Sequence, residues 1–167
     1  MKQNENGRTL LEMLGVLAII GVITVGAMSG LKFGTDSLRA TALHEMVEST
    51  ASGVADLYSW SREYPTEDNV CEPGENRRCV ISLAESVPGN GICNAFQCTA
   101  NGENVEANTT YGKMVISSGD TNYFVIKLTA VPKDICVRLE GVTWQTATWD
   151  EGNSCDAETQ DIVFNVY

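Results

Sequence analysis

The sequence predicts an α+β protein. A long N-terminal helix, half membrane-embedded and half amphipathic, packs on a small antiparallel β-sheet domain with disulfides. Three observations predict it. Residues 13–31 form a run of 19 residues without a charge, long enough to cross a bilayer as a helix. Residues 35–58 carry apolar side chains at helical spacing. The remainder holds alternating, strand-like runs and six cysteines. Of 167 residues, about one small soluble domain remains once the helix is set aside.

The first element follows a short polar stretch, residues 1–7, in which Lys2 is offset by Glu5 and which ends in Gly7. Arg8 comes next, and Glu12 stands fifth after Gly7, at the threshold of the uncharged run. A charged side chain at the centre of a membrane helix costs about 2.5–3.5 kcal/mol. Such a group is functional by default and calls for a partner. Arg8 lies at i,i+4 to Glu12 and is one candidate. The new α-amino group released by a cut after Gly7 is another. Gly26, Gly30 and Gly34 form a ridge of small residues four apart, which lets helix backbones approach closely. Glycine is also simply common in membrane helices, and both readings stay open.

Residues 35–60 continue as an amphipathic helix. Leu38, Ala42, Met46, Thr50 and Leu57 lie near one face, with Leu43, Val47, Val54 and Tyr58 beside it. This broad stripe is expected to lie on the globular domain. His44 sits between the faces and reads as a surface or boundary residue, not a catalyst. Pro65 and the polar run 66–76 are expected to end the helix. Residues 65–110 have little periodicity and read as loop-rich, with residues 79–84 a strand or a helical turn. Asn108-Thr109-Thr110 matches a glycosylation sequon, a three-residue match that arises readily by chance.

Sheet signals come late. Residues 111–117 and 122–131 read as strands around a hairpin turn at Ser118-Gly119-Asp120-Thr121. Phe124, Ile126, Leu128 and Ala130 alternate with Tyr123, Val125, Lys127 and Thr129, and the first set is expected to face the core. Residues 132–139 fit a short helix with proline at its start or another strand. Residues 142–149 alternate weakly, and residues 161–167 form a final apolar strand.

Charge and cysteines bound the function. There are 22 acids against 11 Lys plus Arg, a net charge of −11. Loss of Lys2 with Glu5 would leave that balance unchanged. An acidic domain repels phosphate backbones, so nucleic-acid binding by the bulk surface is disfavoured, Arg77-Arg78 being too small a basic spot to alter this. Cys71, Cys79, Cys93, Cys98, Cys136 and Cys155 all follow the apolar helix. An even count in an exported domain reads as disulfides. Zinc is the competing reading, weakened because the single His44 is far from the cysteines in sequence. Sequence cannot choose the connectivity. Neighbour pairing (Cys71–Cys79, Cys93–Cys98, Cys136–Cys155) is the simplest guess, and the last bond would contribute about 3 kcal/mol in the chain-entropy model. No phosphate loop, dinucleotide fingerprint or H-E-x-x-H motif is present in the sequence. Catalytic triads would hang on His44 alone. The chain is therefore read as a non-enzyme without cofactor or metal, although Asp150, Glu151, Asn153 and Asp156 could offer oxygens to Ca²⁺ without EF-hand spacing.

The leader ending in Gly7, Glu12 five residues on and the apolar helix together resemble the type IV filament family of pilins and pseudopilins. The resemblance implies cleavage by a prepilin peptidase between Gly7 and Arg8, so residues 1–7 are a leader and 8–34 a transmembrane and filament-core helix. The amphipathic half is 35–60, and 61–167 is a disulfide-linked head. It further implies residence in a bacterial inner membrane and extraction by an ATP-driven platform. Copies then pack into an extracellular filament, with Glu12 meeting the α-amino group of Arg8 on a neighbour. Adhesion is a further function of such filaments. Arg8 departs from the Phe, Met or Leu usual at the first mature position, which bears on N-methylation. Val131-Pro132-Lys133-Asp134-Ile135-Cys136, then Cys155 before a last strand, looks like the C-terminal half of type IVb pilins. There Cys136 and Cys155 would be bonded and enclose an exposed surface. Trp144 and Trp149 would then be exterior contacts or core residues, the latter favoured because tryptophan is highly buried on average. The alternatives are a pseudopilin of a type II secretion system, giving a periplasmic pseudopilus, or a signal-anchored membrane protein of another class.

Overall fold

The computed structural model describes the backbone of residues 5–66, 99–101 and 104–167, and the side chains of residues 12–66 and 104–167. The expected α+β organisation is present. Helix α1 runs Glu5–Tyr58. Six strands follow among the described residues: β1 (Thr99–Asn101), β2 (Asn104–Asn108), β3 (Lys113–Asp120), β4 (Tyr123–Pro132), β5 (Ala147–Trp149) and β6 (Thr159–Val166). Helix α2 (Lys133–Glu140) lies between β4 and β5. The chain divides into two compact units, Met1–Leu38 and Arg39–Tyr167. The amphipathic part of α1 beyond Leu38 thus belongs with the sheet.

In the second unit the strands form one antiparallel sheet of order β1-β2-β3-β4-β6-β5. One face of it carries the core. Phe124, Ile126 and Leu128 of β4 join Met114 and Ile116 of β3 and Ile162, Phe164 and Val166 of β6, all at most 2% exposed. The helix supplies Ala40, Leu43, Val47, Ala51, Val54 and Tyr58, whose steps of three and four residues keep them on one side. The stripe on the helix is therefore centred on the second of the two sets expected from sequence. Leu38 is 73% exposed and Ala42 is exposed, while Met46 and Leu57 are partly buried at its border. Thr50 is fully buried.

The helix stops before Pro65. Arg62 takes a left-handed conformation (φ 60°), and its N–H and that of Ser61 both donate to the Tyr58 carbonyl. Left-handed backbone costs a non-glycine residue about 1–2 kcal/mol, and it ends α1 by satisfying a terminal carbonyl. The chain is then pinned to the β3–β4 hairpin. The Tyr64 N–H donates to the Thr121 carbonyl (2.8 Å), Ser118 Oγ donates to the Pro65 carbonyl, and the Tyr64 ring packs on Phe124.

Three sequence expectations are corrected here. The hairpin turn lies at Thr121-Asn122, and Ser118–Asp120 is instead a register irregularity within β3. Gly119 sits there because a side chain would strike the Tyr123 ring. Ala130 is exposed and Val131 takes its place in the core. A bulge between Leu128 and Val131 inserts one residue on β4, since Leu128 faces Ile162 while Val131 faces Gln160. Ala130 absorbs it at φ 56°, and its N–H donates to Asp161 Oδ1 (3.2 Å). The Lys127 ammonium hydrogen-bonds Asp161 at 2.7 Å and holds that carboxyl below the usual carboxylate range. Finally, residues 99–108 are not all loop: β1 and β2 extend the sheet, with Val105 and Ala107 buried. Residues 132–139 resolve as helix: Pro132 precedes α2, and Ile135, Cys136 and Leu139 face inward. Of the weakly alternating residues 142–149, only Ala147–Trp149 is strand.

Candidate functional site

Two surfaces answer to the residues singled out by sequence, one in each unit. In the first, Gly7 and Arg8 lie within the backbone of α1, and the side chains before Glu12 fall outside the described residues. From Glu12 the helix is bare. Large apolar side chains from Met13 to Leu31 are between 53% (Ile20) and 75% (Val22) exposed, on every side of the axis. The mean hydropathy reaches 2.2 over an 18-residue window with none of it buried, which is compatible with membrane anchoring. A helix apolar all round is one that is buried in something. Each large apolar side chain gains about 1.5–3 kcal/mol when removed from water.

The polar groups of this stretch are handled unequally. Thr24 Oγ1 donates to the Ile20 carbonyl (2.7 Å) and Ser29 Oγ to the Val25 carbonyl (3.1 Å). Both hydroxyls are thus satisfied inside the helix and tolerate a dry setting. Glu12 is exposed and has no hydrogen bond or ion pair among the described residues. Gly26, Gly30 and Gly34 have open space where a Cβ would stand, so no contact among the described residues requires them.

The second surface is closed by the Cys136–Cys155 disulfide, with Cα atoms 5.6 Å apart. This is the pair expected from the resemblance and from neighbour pairing. Cys71, Cys79, Cys93 and Cys98, and the run 79–84, lie outside the described residues. Cys136 is fixed in the core by α2, one turn before Leu139. The enclosed segment is held by polar clamps as well. Asn153 Nδ2 donates to the Val163 carbonyl (2.7 Å), and the Val163 N–H donates to Asn153 Oδ1 (2.8 Å). The side-chain amide thus does the work of a ladder residue beside β6. Asp150 accepts from Asn165 Nδ2 (2.9 Å) and from the Gly152 N–H (2.8 Å), and Asp156 accepts from Ser154 Oγ (2.6 Å). Asp150, Asn153 and Asp156 are three of the four residues considered for Ca²⁺, the fourth being Glu151, and their oxygens take part in fixing the loop. Among the described residues no group of three His, Cys, Asp or Glu converges to hold a metal.

Both tryptophans of this segment pack inward. Trp144 and Trp149 lie 4.5 and 5.5 Å from the Phe164 ring, and Trp144 Nε1 donates to the Leu139 carbonyl. They are partly buried, closer to the core reading than to the exterior one. His44 meets Trp144 ring to ring at 4.7 Å, which places it at the boundary between helix and loop.

One positioning residue escaped the sequence reading. Glu48, a half-buried residue of α1, accepts from the Gln145 N–H (2.7 Å) and the Thr146 N–H (3.0 Å), tying the helix to the disulfide-bounded segment. Its signal in sequence, an acid bordering the apolar stripe, is shared with Glu45 and could not single it out. Glu48→Ala is expected to lower stability by about 1–3 kcal/mol, since two backbone donors lose a charged acceptor. Glu48→Gln, which keeps one oxygen, should lose less. Urea denaturation of the two variants checks the order.

No family model, curated protein or solved structure matches the chain.

Proposed function

We propose that the chain is a structural subunit of a type IV pilus-like filament. A prepilin peptidase cuts it after Gly7, and copies polymerise through the N-terminal helix. One observation supports this above the others: in residues 12–31 the hydroxyls are satisfied internally, while Glu12 and the apolar side chains have nothing covering them among the described residues. Lipid would cover the apolar side chains but bring the carboxylate no partner of its own. A bundle of identical helices covers both, because each cut copy brings an α-amino group at Arg8 to the level of a neighbour's Glu12. Leaving one member of such a pair unpaired in a dry core is costly, so the pair sets the register of assembly. The precursor is held in an inner membrane, and an assembly platform draws it out. The glycine ridge suits close helix packing. The α+β head with its Cys136–Cys155 segment agrees with the type IVb resemblance.

Shearing cells that express the chain is expected to release filaments that contain it. Recovery only from the periplasm, with a secretion defect on deletion, would assign a pseudopilus instead. Retention in the inner membrane alone would overturn the filament reading.

A further inference from the structure

An open cleft of about 290 Å³ lies in the head where the end of α1 meets the β3–β4 turn and the end of β6. Tyr58, Tyr64 and Tyr167 give it ring surface, and Arg62, Glu63 and Asn122 give it polar groups. The rings are held in place. Tyr64 packs between Tyr58 (5.8 Å) and Phe124 (5.0 Å), and its backbone is bonded to Thr121. Tyr167 rests against Tyr123 at 5.7 Å yet remains 70% exposed, which leaves much of its ring open. The polar groups, in contrast, are uncommitted. The Arg62 guanidinium, the Glu63 carboxylate and the Asn122 amide make no hydrogen bond or ion pair among the described residues. Arg62 also holds a left-handed backbone, where glycine would sit without strain. A long, charged side chain is thus kept at the rim at a local conformational cost, a pattern that points to use.

We propose that this cleft binds a neutral carbohydrate, one pyranose ring at a time. Tyrosine rings present apolar faces with a polar tip, which match the C–H face and hydroxyl edge of a sugar. A carboxylate, an amide and a guanidinium together supply the donors and acceptors that adjacent hydroxyls need. The two opposite charges at the rim give no net preference for an ion, and the net charge of −11 repels acidic sugars. The volume falls near the lower bound of about 300 Å³ for small-molecule sites, enough for one ring and not for a chain of them. This site stands whether or not the chain polymerises.

The test uses the full chain in lauryldimethylamine oxide micelles, a detergent without a sugar headgroup. Saturation-transfer NMR is recorded with methyl β-galactopyranoside, methyl α-mannopyranoside and N-acetylglucosamine, each at millimolar concentration. Transfer to the ring protons of at least one sugar is expected. Tyr167→Ala, Asn122→Ala and Arg62→Gly should each weaken it about tenfold, with thermal unfolding unchanged. Arg62→Gly relieves its own backbone and guards against a folding artefact. Absence of transfer from all three sugars would overturn the proposal, and so would transfer that survives the three substitutions.

Discussion

Glu12→Ala is expected to abolish filaments while leaving the chain synthesised, inserted and cut after Gly7. The carboxylate makes no bond within the described chain, so its removal should leave the folded head intact. Its proposed partner is the α-amino group of a neighbour. Removing one member of a buried ion pair costs about 3–5 kcal/mol, because the other is left charged and dry. At about 1.4 kcal/mol per tenfold, that is roughly two to nearly four orders of magnitude at every junction, repeated along the polymer. Glu12→Gln should fare little better, since an amide cannot neutralise an ammonium group. Electron microscopy of sheared fractions reads the outcome. Filaments of normal abundance from Glu12→Ala would remove the carboxylate from the assembly mechanism.

Phe164→Ala carries the largest expected loss of stability within the head. Phe164 is fully buried on β6, which lies between β4 and β5, and both Trp144 and Trp149 pack on its ring. Truncating such a residue costs about 3–5 kcal/mol. That is a large share of the 5–15 kcal/mol typical of a domain. Tryptophan emission should shift to the red as the two indoles lose their platform, while Trp60, already 67% exposed, contributes a constant background. Urea denaturation followed by fluorescence measures both effects. A loss below about 1 kcal/mol would mean that the ring is not the keystone described.

What sequence could reveal followed from how local the cause was. The apolar helix was legible because 19 uncharged residues need no tertiary information. The Glu12 position was legible for the same reason: a lone acid beside such a run stands out. The alternation of β4 was read correctly through Leu128 and failed at Ala130, since the bulge is fixed by Asp161 on another strand. The hairpin turn was read two residues early because Gly119 looks like a turn residue, whereas a side chain there would meet the Tyr123 ring. Strand β2 was missed because asparagines and a glutamate mask two buried positions, Val105 and Ala107. The helix stripe was read too broadly, because Leu38 and Ala42 are apolar but unburied in this chain, while Leu43, Val47, Val54 and Tyr58 are buried as expected. Gly112, just before β3, shows the same limit: a Cβ there would strike the Thr129 carbonyl of β4, a contact that composition cannot announce. The Glu48 clamp was invisible in the same way, since its partners are backbone groups 97 and 98 residues away.

The most direct measurement is the intact mass of the chain extracted from membranes of a host that carries a prepilin peptidase. The expected species begins at Arg8, lighter by residues 1–7, with or without one methyl group. A chain that retains Met1 through Gly7 under those conditions would contradict the account, because no new α-amino group would exist to meet Glu12.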